Sequence, residues 1–203
     1  MSAEPENRPM SLRHALLALL TAQPMTGYDL AKSFHSSVGH VWHAPDSQIY
    51  PALIQMEKDG LVAGAAVPWG PQSTKTEYSI TEAGLAEFRR WMSAPPALLP
   101  ERHPAHLRAA YFEWADPDAI REQLTAYREH FEEQRSQWEQ QLTLIRARTH
   151  PIVARRLAVF PPELAERIVA YKIFSYEGLI AHADQEIAWA VRGLRLVDDL
   201  EAR

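Results

Sequence analysis

The sequence predicts a mainly α-helical protein with two unlike parts, and three observations lead to this fold class. Apolar residues recur at helical spacing along much of the 203-residue chain. Six of the eight glycines fall before residue 95, which favours short elements and tight turns there. The later half has few glycines and can sustain long helices. We therefore predict a domain over residues 1–94, a Pro-rich linker over residues 95–104 and a helical domain over residues 105–203.

The composition excludes several classes of protein. The chain carries 21 Lys+Arg against 26 Asp+Glu, a formal net charge of −5, which argues against a polybasic binder of nucleic acids or membranes. A local basic or neutral face remains compatible with this charge. The absence of cysteine excludes disulfides and thiolate chemistry. Because no apolar run approaches the length of a membrane span, we expect a soluble, cytoplasmic protein with no membrane partner.

Two short helices open the first domain. Ser11 can cap the first helix, which Pro24 ends. Thr26 begins the second, with Asp29 three residues later as in a capping box, and Gly39 ends it. The side chains expected to face inward from the second helix are Tyr28, Leu30, Ala31 and Phe34.

The third helix has two contrasting faces. Asp46 or Ser47 is expected to cap it, and its apolar side chains share one face at helical spacing, namely Ile49, Leu53 and Met56. The opposite face offers hydroxyl, amide and ammonium groups from Ser47, Gln48, Pro51, Gln55 and Lys58. Carboxylates are confined to the end and margin of this face, so it suits an anionic partner that forms hydrogen bonds.

A hairpin and a fourth helix follow. Residues 61–67 and 76–80 read as two short strands, and Thr81 starts the helix after them. The long tip between the strands contains Trp69, Gln72, Ser73, Thr74 and Lys75. Three helices followed by a hairpin is the order of a winged helix-turn-helix domain. In such a domain the third helix, residues 46–59, enters the major groove of DNA, and the hairpin forms the wing.

Five segments in this region carry a family resemblance. They are Ser11-Leu-Arg-His-Ala-Leu16, Met25-Thr-Gly-Tyr-Asp-Leu30, Ile49-Tyr-Pro-Ala-Leu53, Glu57-Lys-Asp-Gly-Leu-Val62 and Glu77-Tyr-Ser-Ile-Thr-Glu-Ala-Gly84. In this order and spacing they resemble the PadR family of transcriptional regulators. Residues 107–128 resemble the start of the long helical C-terminal domain found in one branch of that family.

The resemblance implies a homodimeric DNA-binding protein, usually a repressor and less often an activator. It also implies that a small aromatic or lipophilic effector controls some members. The matched positions place Gln48, Tyr50 and Pro51 in the recognition helix, and Gly27, Tyr28 and Asp29 at the start of the turn motif. The wing departs from the family pattern, because Thr76 and Glu77 stand where many relatives carry basic residues.

The residues themselves suggest how double-stranded DNA would be contacted. Glutamine amides can bond base edges, and hydroxyl and cationic groups can bond phosphates. Solvated surface side chains are the alternative interpretation for each position. The predicted DNA-binding residues are Arg13, Lys32, Ser47, Gln48, Tyr50, Pro51, Gln55, Lys58 and Lys75. A dimer would place two recognition helices on a palindromic operator.

The second domain is expected to dimerise. One long helix begins at Asp116 or Pro117 and reaches about Thr149, and another begins near Pro162 and extends toward Leu200. The latter carries apolar residues at alternating spacings of four and three, as in a coiled-coil seam. The predicted dimerisation residues are Val169, Ile173, Tyr176, Ile180, Ala183, Ile187, Leu194 and Val197. A monomeric helical bundle is the alternative.

Other candidate sites are weaker. Four aromatic side chains could line an effector cavity, with core packing as the alternative: Trp138, Tyr171, Phe174 and Trp189. His35, His40 and His43 lie near Asp46, but their spacing matches no zinc signature, so we predict neither a metal nor a cofactor. No catalytic motif is evident, and no enzymatic activity is predicted. The rival function is a helical protein-interaction adaptor that retains the winged helix without strong DNA binding.

Overall fold

The structure, a computed structural model, describes residues 12–36, 44–70, 72–96 and 102–202. The chain divides into two compact units, residues 1–99 with 158–160 and residues 100–157 with 161–203. Helices dominate the described residues, and the strands form one three-stranded sheet, which confirms the predicted fold class. The predicted helix boundaries at Ser11 and Gly39 and residues 97–101 of the predicted linker lie outside the described residues.

The N-terminal unit has the expected order of helices and strands, with one addition. A two-residue strand precedes the second helix and pairs antiparallel with the last strand, so that Met25 lies opposite Tyr78. The elements are α1 (Leu12–Leu20), β1 (Met25–Thr26), α2 (Gly27–His35), α3 (Asp46–Lys58), β2 (Val62–Trp69), β3 (Ser73–Ile80) and α4 (Glu82–Ser93). The order of the strands in the sheet is β1-β3-β2.

Two of the predicted helix starts are confirmed by their hydrogen bonds. Thr26 Oγ1 accepts a hydrogen bond from the Asp29 backbone N–H at 3.2 Å and donates to Asp29 Oδ2 at 2.7 Å. Thr81 Oγ1 caps α4 by accepting from the Gly84 backbone N–H at 3.0 Å. The expected cap of α3 is wrong, because the helix begins at Asp46 after Pro45 with no side-chain cap. The Asp46 carboxylate instead meets His35 Nε2 at 2.7 Å.

The core of this unit is built from one face of each of its first three helices. The fully buried side chains are Leu16, Leu17, Leu20, Leu30, Phe34, Ile49, Leu53 and Met56. Tyr28 does not join them, although it was predicted to face inward, because 56% of its surface is exposed. It lies in the first turn of α2, and its ring is 5.0 Å from the Lys75 ammonium of β3.

The hairpin is longer and its tip shorter than predicted. Strand pairing continues to Trp69 opposite Ser73, so most of the predicted tip residues lie in the strands. Pro68 is tolerated opposite Thr74 because β2 is an edge strand, where a missing N–H breaks no ladder. Gly70 makes the turn with φ of +74°, a backbone conformation that favours glycine.

A buried histidine links α1 to α4 and gives a pH-dependent prediction. The His14 ring stacks on Trp91 at 4.8 Å, and its Nε2 lies 3.4 Å from Glu87 Oε1. Burial lowers the pKa of His14 from its ordinary 6.5, with Glu87 opposing that shift. The unfolded chain therefore binds the proton more readily, and the free energy of unfolding should fall as the pH drops below about 6.5.

Urea unfolding at about pH 7.5 and about pH 5.5 measures this effect. We expect wild type to lose more stability over this interval than His14→Phe, which keeps an aromatic ring but cannot titrate. Equal losses in the two proteins would show that His14 does not contribute.

The second unit is a helical unit centred on two long helices that run antiparallel. Their direction is evident from two ion pairs, in which the later residue of the first helix meets the earlier residue of the second: Arg135 pairs with Asp184 at 2.6 Å and Arg146 with Glu177 at 2.9 Å. The helices are α5 (Pro104–Ala109), α6 (Pro117–Arg146), α7 (Pro151–Val159) and α8 (Ala165–Glu201), with 3-10 turns at Phe112–Trp114 and Pro162–Leu164. Helix α6 stops three residues before its predicted end, and Arg148 follows with φ of +61°.

The predicted dimerisation seam packs inside the chain. Four of its residues are buried, namely Val169, Tyr176, Ala183 and Val197. Two more, Ile173 and Ile180, pack against a cluster that α6 supplies with Trp138, Leu142 and Ile145, and Leu194 packs against a second cluster with Ile120 and Leu124. The role of this seam at a subunit boundary stays a prediction. An a/d pattern indicates that a helix packs against another helix, and here that helix is α6 of the same chain.

The four aromatic residues predicted for an effector cavity have different surroundings. Trp138 is 7% exposed and belongs to the core, while Phe174 is 76% exposed and Tyr171 also faces solvent. Trp189 packs in the second cluster. The alternative, core packing, holds for Trp138. Tyr171 and Phe174 were misplaced because they fall outside the face of α8 that meets α6.

Candidate nucleic-acid interface

The outer face of α3 is the candidate site. The five residues predicted to form it are all exposed: Ser47, Gln48, Pro51, Gln55 and Lys58. On the opposite face Ile49, Leu53 and Met56 are fully buried, which fixes the helix against α1 and α2. The division of this helix into an apolar inner face and a polar outer face is confirmed, while the DNA contacts of its outer residues stay a prediction.

The acidic groups of this helix are all engaged by other elements. Asp46 is paired with His35 of α2. Glu57 Oε1 accepts a hydrogen bond from the Gly64 backbone N–H of β2 at 3.0 Å. Asp59, at the end of the helix, forms an ion pair with Arg13 of α1 at 2.6 Å. Neighbouring donors thus offset part of the negative charge that would repel a phosphate backbone.

Two predicted contacts are changed by the bonds around Asp59. Arg13 was predicted to meet phosphate, but the structure places its guanidinium on Asp59, where it ties α1 to the end of α3. Gln55 Nε2 donates to the other oxygen of Asp59 at 2.8 Å. Recognition of adenine by glutamine uses both the amide oxygen and the amide nitrogen. Gln48 has no such internal bond among the described residues, so it is the better candidate for base contact.

The wing carries a cation held by aromatic rings. Lys75 Nζ lies 3.0 Å from the centroid of Trp69 and 5.0 Å from that of Tyr28, so one ammonium joins both strands of the wing to the start of α2. Both rings are about half exposed. Sequence reasoning missed Trp69 and Tyr28 as partners of Lys75. The alternation of side chains along a hairpin gives a partial signal, because it puts Trp69 near the cation once the strands are extended.

Tyr50 is positioned by a glycine. A Cβ at Gly27 would lie 3.1 Å from Tyr50 Cε1, so the ring packs directly on the backbone at the start of α2. The rest of Tyr50 is exposed, and its hydroxyl remains a candidate donor to phosphate. Lys32 and Lys58 are likewise exposed and form no ion pair within the part of the chain that the structure describes.

The described residues contain neither a cluster of metal-ligating side chains nor a membrane-spanning helix. Within residues 12–36, 44–70, 72–96 and 102–202, no group of three His, Asp or Glu side chains is placed to hold a metal ion. His40 and His43 of the sequence cluster lie outside those ranges. None of the described helices combines the length and the apolar character that a membrane crossing requires.

The N-terminal part of the chain is similar in sequence to known transcriptional regulators. Residues 16–90 match the model of the transcriptional regulator PadR-like family. The chain is 38% identical over 86 residues to the probable transcriptional regulator Rv1176c of Mycobacterium tuberculosis, covering 42% of this chain and 46% of that protein. It is 32% identical over 81 residues to the negative transcriptional regulator PadR of Bacillus subtilis, covering 40% and 44%. The matched segments thus span less than half of each of these relatives, which are named as regulators rather than enzymes.

Solved structures share the fold over most of the chain. A Bacillus subtilis PadR in complex with operator DNA matches with a TM-score of 0.69 at 20% identity, covering 90% of this chain and 97% of that one. The same protein in complex with p-coumaric acid matches with a TM-score of 0.67 at 20% identity, covering 97% and 99%. At this identity the likeness establishes a common architecture that includes the long C-terminal helix.

Proposed function

Because residues 16–90 match the model of the PadR-like family of transcriptional regulators, we propose that this chain is a member of that family and a sequence-specific DNA-binding regulator. The observation that carries the proposal is the outer face of α3. It combines exposed hydrogen-bonding groups with the exposed Lys58 ammonium, and the acidic groups Asp46, Glu57 and Asp59 bond to other elements. This face suits the edges of bases between two phosphate backbones.

In this proposal, some side chains contact the bases of DNA and others contact its phosphates. Helix α3 enters the major groove, where Gln48 bonds a base edge. Lys58, Lys32 and Lys75 supply phosphate contacts, and the hydroxyls of Ser47 and Tyr50 add neutral donors. Pro51 lies among them on the exposed face. Residues 1–94 would be the DNA-binding domain and residues 105–203 the domain that assembles it.

We further propose a homodimer that represses transcription from a palindromic operator until a small effector binds. The relatives support this choice, because one is named a negative regulator and its structures include operator DNA and p-coumaric acid. The heptad seam packs on α6, so the subunit boundary can also use apolar side chains of α8 that this packing leaves exposed. Candidates are its exposed apolar residues Tyr171, Phe174, Leu196 and Leu200.

Binding to the DNA upstream of its own gene tests the function. We expect fluorescence anisotropy to show specific binding that weakens steeply as salt rises. Gln48→Ala should lose about 1–3 kcal/mol of discrimination at one base position. Lys58→Ala should weaken binding to all sequences and reduce the salt slope by about 1.

Arg192→Ala is the matched control, because it also removes an exposed cation but lies on α8. It should leave binding unchanged. Unaltered binding in both Gln48→Ala and Lys58→Ala would refute the assignment of the α3 face. No DNA affinity even at low salt would favour the protein-interaction adaptor instead.

A further inference from the structure

A buried carboxylate lies among aromatic rings in the helical unit. Glu186 of α8 is only 8% exposed, and its Oε2 accepts a hydrogen bond from the Tyr127 hydroxyl of α6 at 2.8 Å. Trp189 follows it within one turn of α8. Helix α5 contributes His106 to the same place. Trp189 was predicted to line an effector cavity with other residues, but neither the fold nor the proposed DNA contacts assign these four side chains a shared role.

The rings are arranged around one another at close distances. His106 stacks on Trp189 with centroids 4.2 Å apart and planes at 24°. Tyr127 meets Trp189 edge-on at 5.3 Å, and Phe131 lies 4.9 Å from Tyr127. We call these four rings, together with the Glu186 carboxylate, the aromatic box. The imidazole of His106 covers the face of Trp189, so a ligand that replaced it would need a planar group to make the same stacking contact.

The buried Glu186 carboxylate in the aromatic box favours a cation as its partner. A carboxylate removed from water is costly unless a cation and hydrogen bonds compensate it. Tyr127 gives one hydrogen bond, and burial, reinforced by Glu186, raises the pKa of Tyr127 to about 12, so it stays a neutral donor. The face of an indole ring also attracts cations. The carboxylate and Trp189 therefore select the same kind of group.

His106 fills this place with imperfect contacts. Its Nε2 is 3.9 Å from Glu186 Oε2, beyond hydrogen-bond distance. Its Nδ1 is shielded from solvent without a hydrogen-bond partner among the described residues. Helix α5 has six residues and none of them is buried, so little packing holds His106 in position. A ligand that reached the carboxylate directly would form better contacts than this side chain.

We propose that the aromatic box is a binding site for a planar organic cation, which stacks on Trp189, pairs with Glu186 and displaces His106. The planar shape follows from the ring that it replaces, and the charge follows from the buried carboxylate. Any use of this site to control transcription rests on the proposed DNA-binding function. The binding itself does not, because the experiment that tests it contains no DNA.

Calorimetric titration of the full chain with benzamidinium and with benzamide, its neutral counterpart, tests the site. We expect His106→Gly to bind benzamidinium at least about tenfold more tightly than wild type, because the competing ring is gone. Benzamide should bind His106→Gly at least about tenfold more weakly than benzamidinium, because it cannot pair with the carboxylate. Glu186→Gln should abolish the preference for the charged probe, and Trp189→Leu should weaken both.

His182→Gly is the matched control, because His182 lies on α8 and contacts Phe131 edge-on without stacking on Trp189. It should bind like wild type. Equal affinity of His106→Gly for the two probes would overturn the proposal, as would the absence of binding in both wild type and His106→Gly. The comparison of probes on His106→Gly remains decisive if Glu186→Gln does not fold. Loss of operator binding would affect only the proposed function.

Discussion

Replacing Gly84 by alanine is expected to destabilise the N-terminal unit by about 1–3 kcal/mol or more. A Cβ at this position would collide with the Leu61 carbonyl oxygen and lie 3.0 Å from Ile80 Cγ1. The carbonyl cannot withdraw easily, because it accepts a hydrogen bond from the Thr81 backbone N–H at 3.1 Å. The Gly84 N–H is itself fixed by the Thr81 cap. Helix α4 must therefore shift as a whole and lose its close packing on the hairpin.

Gly178→Ala is the matched control for this substitution. Gly178 also lies in a helix, but a Cβ there would meet nothing within 4 Å. Alanine should stabilise α8 by about 0.5–1 kcal/mol through its higher helix propensity. Urea unfolding monitored by circular dichroism, with hydrogen exchange to report each unit, measures both effects. A Gly84→Ala protein as stable as wild type would contradict the close approach of α4 to Leu61.

Local patterns predicted the elements whose causes are local. The two faces of α3 follow from helical periodicity alone, since Ile49, Leu53 and Met56 must point the same way. The caps at Thr26 and Thr81 each depend on a residue three positions away. The strand β1 has two residues and exists only through its pairing with β3, in which Thr26 lies opposite Glu77, 51 positions later, and Met25 opposite Tyr78, 53 positions later. No window of neighbouring residues contains that information.

The features that local patterns left open or misplaced share a different cause, which is the identity of a distant partner. The apolar seam of α8 was recognised correctly as a helix-packing surface, but its spacing cannot say whether α6 or a second chain covers it. Tyr28 was placed inside by its aromatic character, whereas the first turn of α2 faces the wing. The first predicted strand ended at residue 67, and the position of Pro68 on an edge strand is what allows the strand to continue through it.

The charges of the candidate interface likewise depend on distant residues that the sequence pattern does not identify. The sequence predicts which residues of α3 are exposed, but not that its carboxylates are bonded to other elements. Arg13 is 46 positions from Asp59, and their ion pair appears only when α1 packs beside the end of α3. An acidic chain can therefore present a face of reduced negative charge. Its affinity for DNA should depend on a few base and phosphate contacts rather than on net charge.

Replacing Trp138 by alanine is expected to destabilise the helical unit by about 3–5 kcal/mol, the usual cost of removing a buried tryptophan. The side chain is 7% exposed and packs in a cluster with Leu142 and Ile145 of α6 and Tyr176 of α8. Its removal leaves a cavity in the middle of the antiparallel pair, which rigid helices cannot close by local collapse. Thermal or urea unfolding of the full chain measures the loss.

Trp114→Ala is the matched control, because it makes the same chemical change at a side chain that is 86% exposed. Surface substitutions of this kind usually change stability by about 0.5 kcal/mol or less. The two results together separate core packing from ligand binding as the role of Trp138. A cavity-lining tryptophan would tolerate truncation with little loss of stability, whereas a core tryptophan would not. A small effect of Trp138→Ala beside a large effect of Trp114→Ala would contradict the packing of α6 on α8.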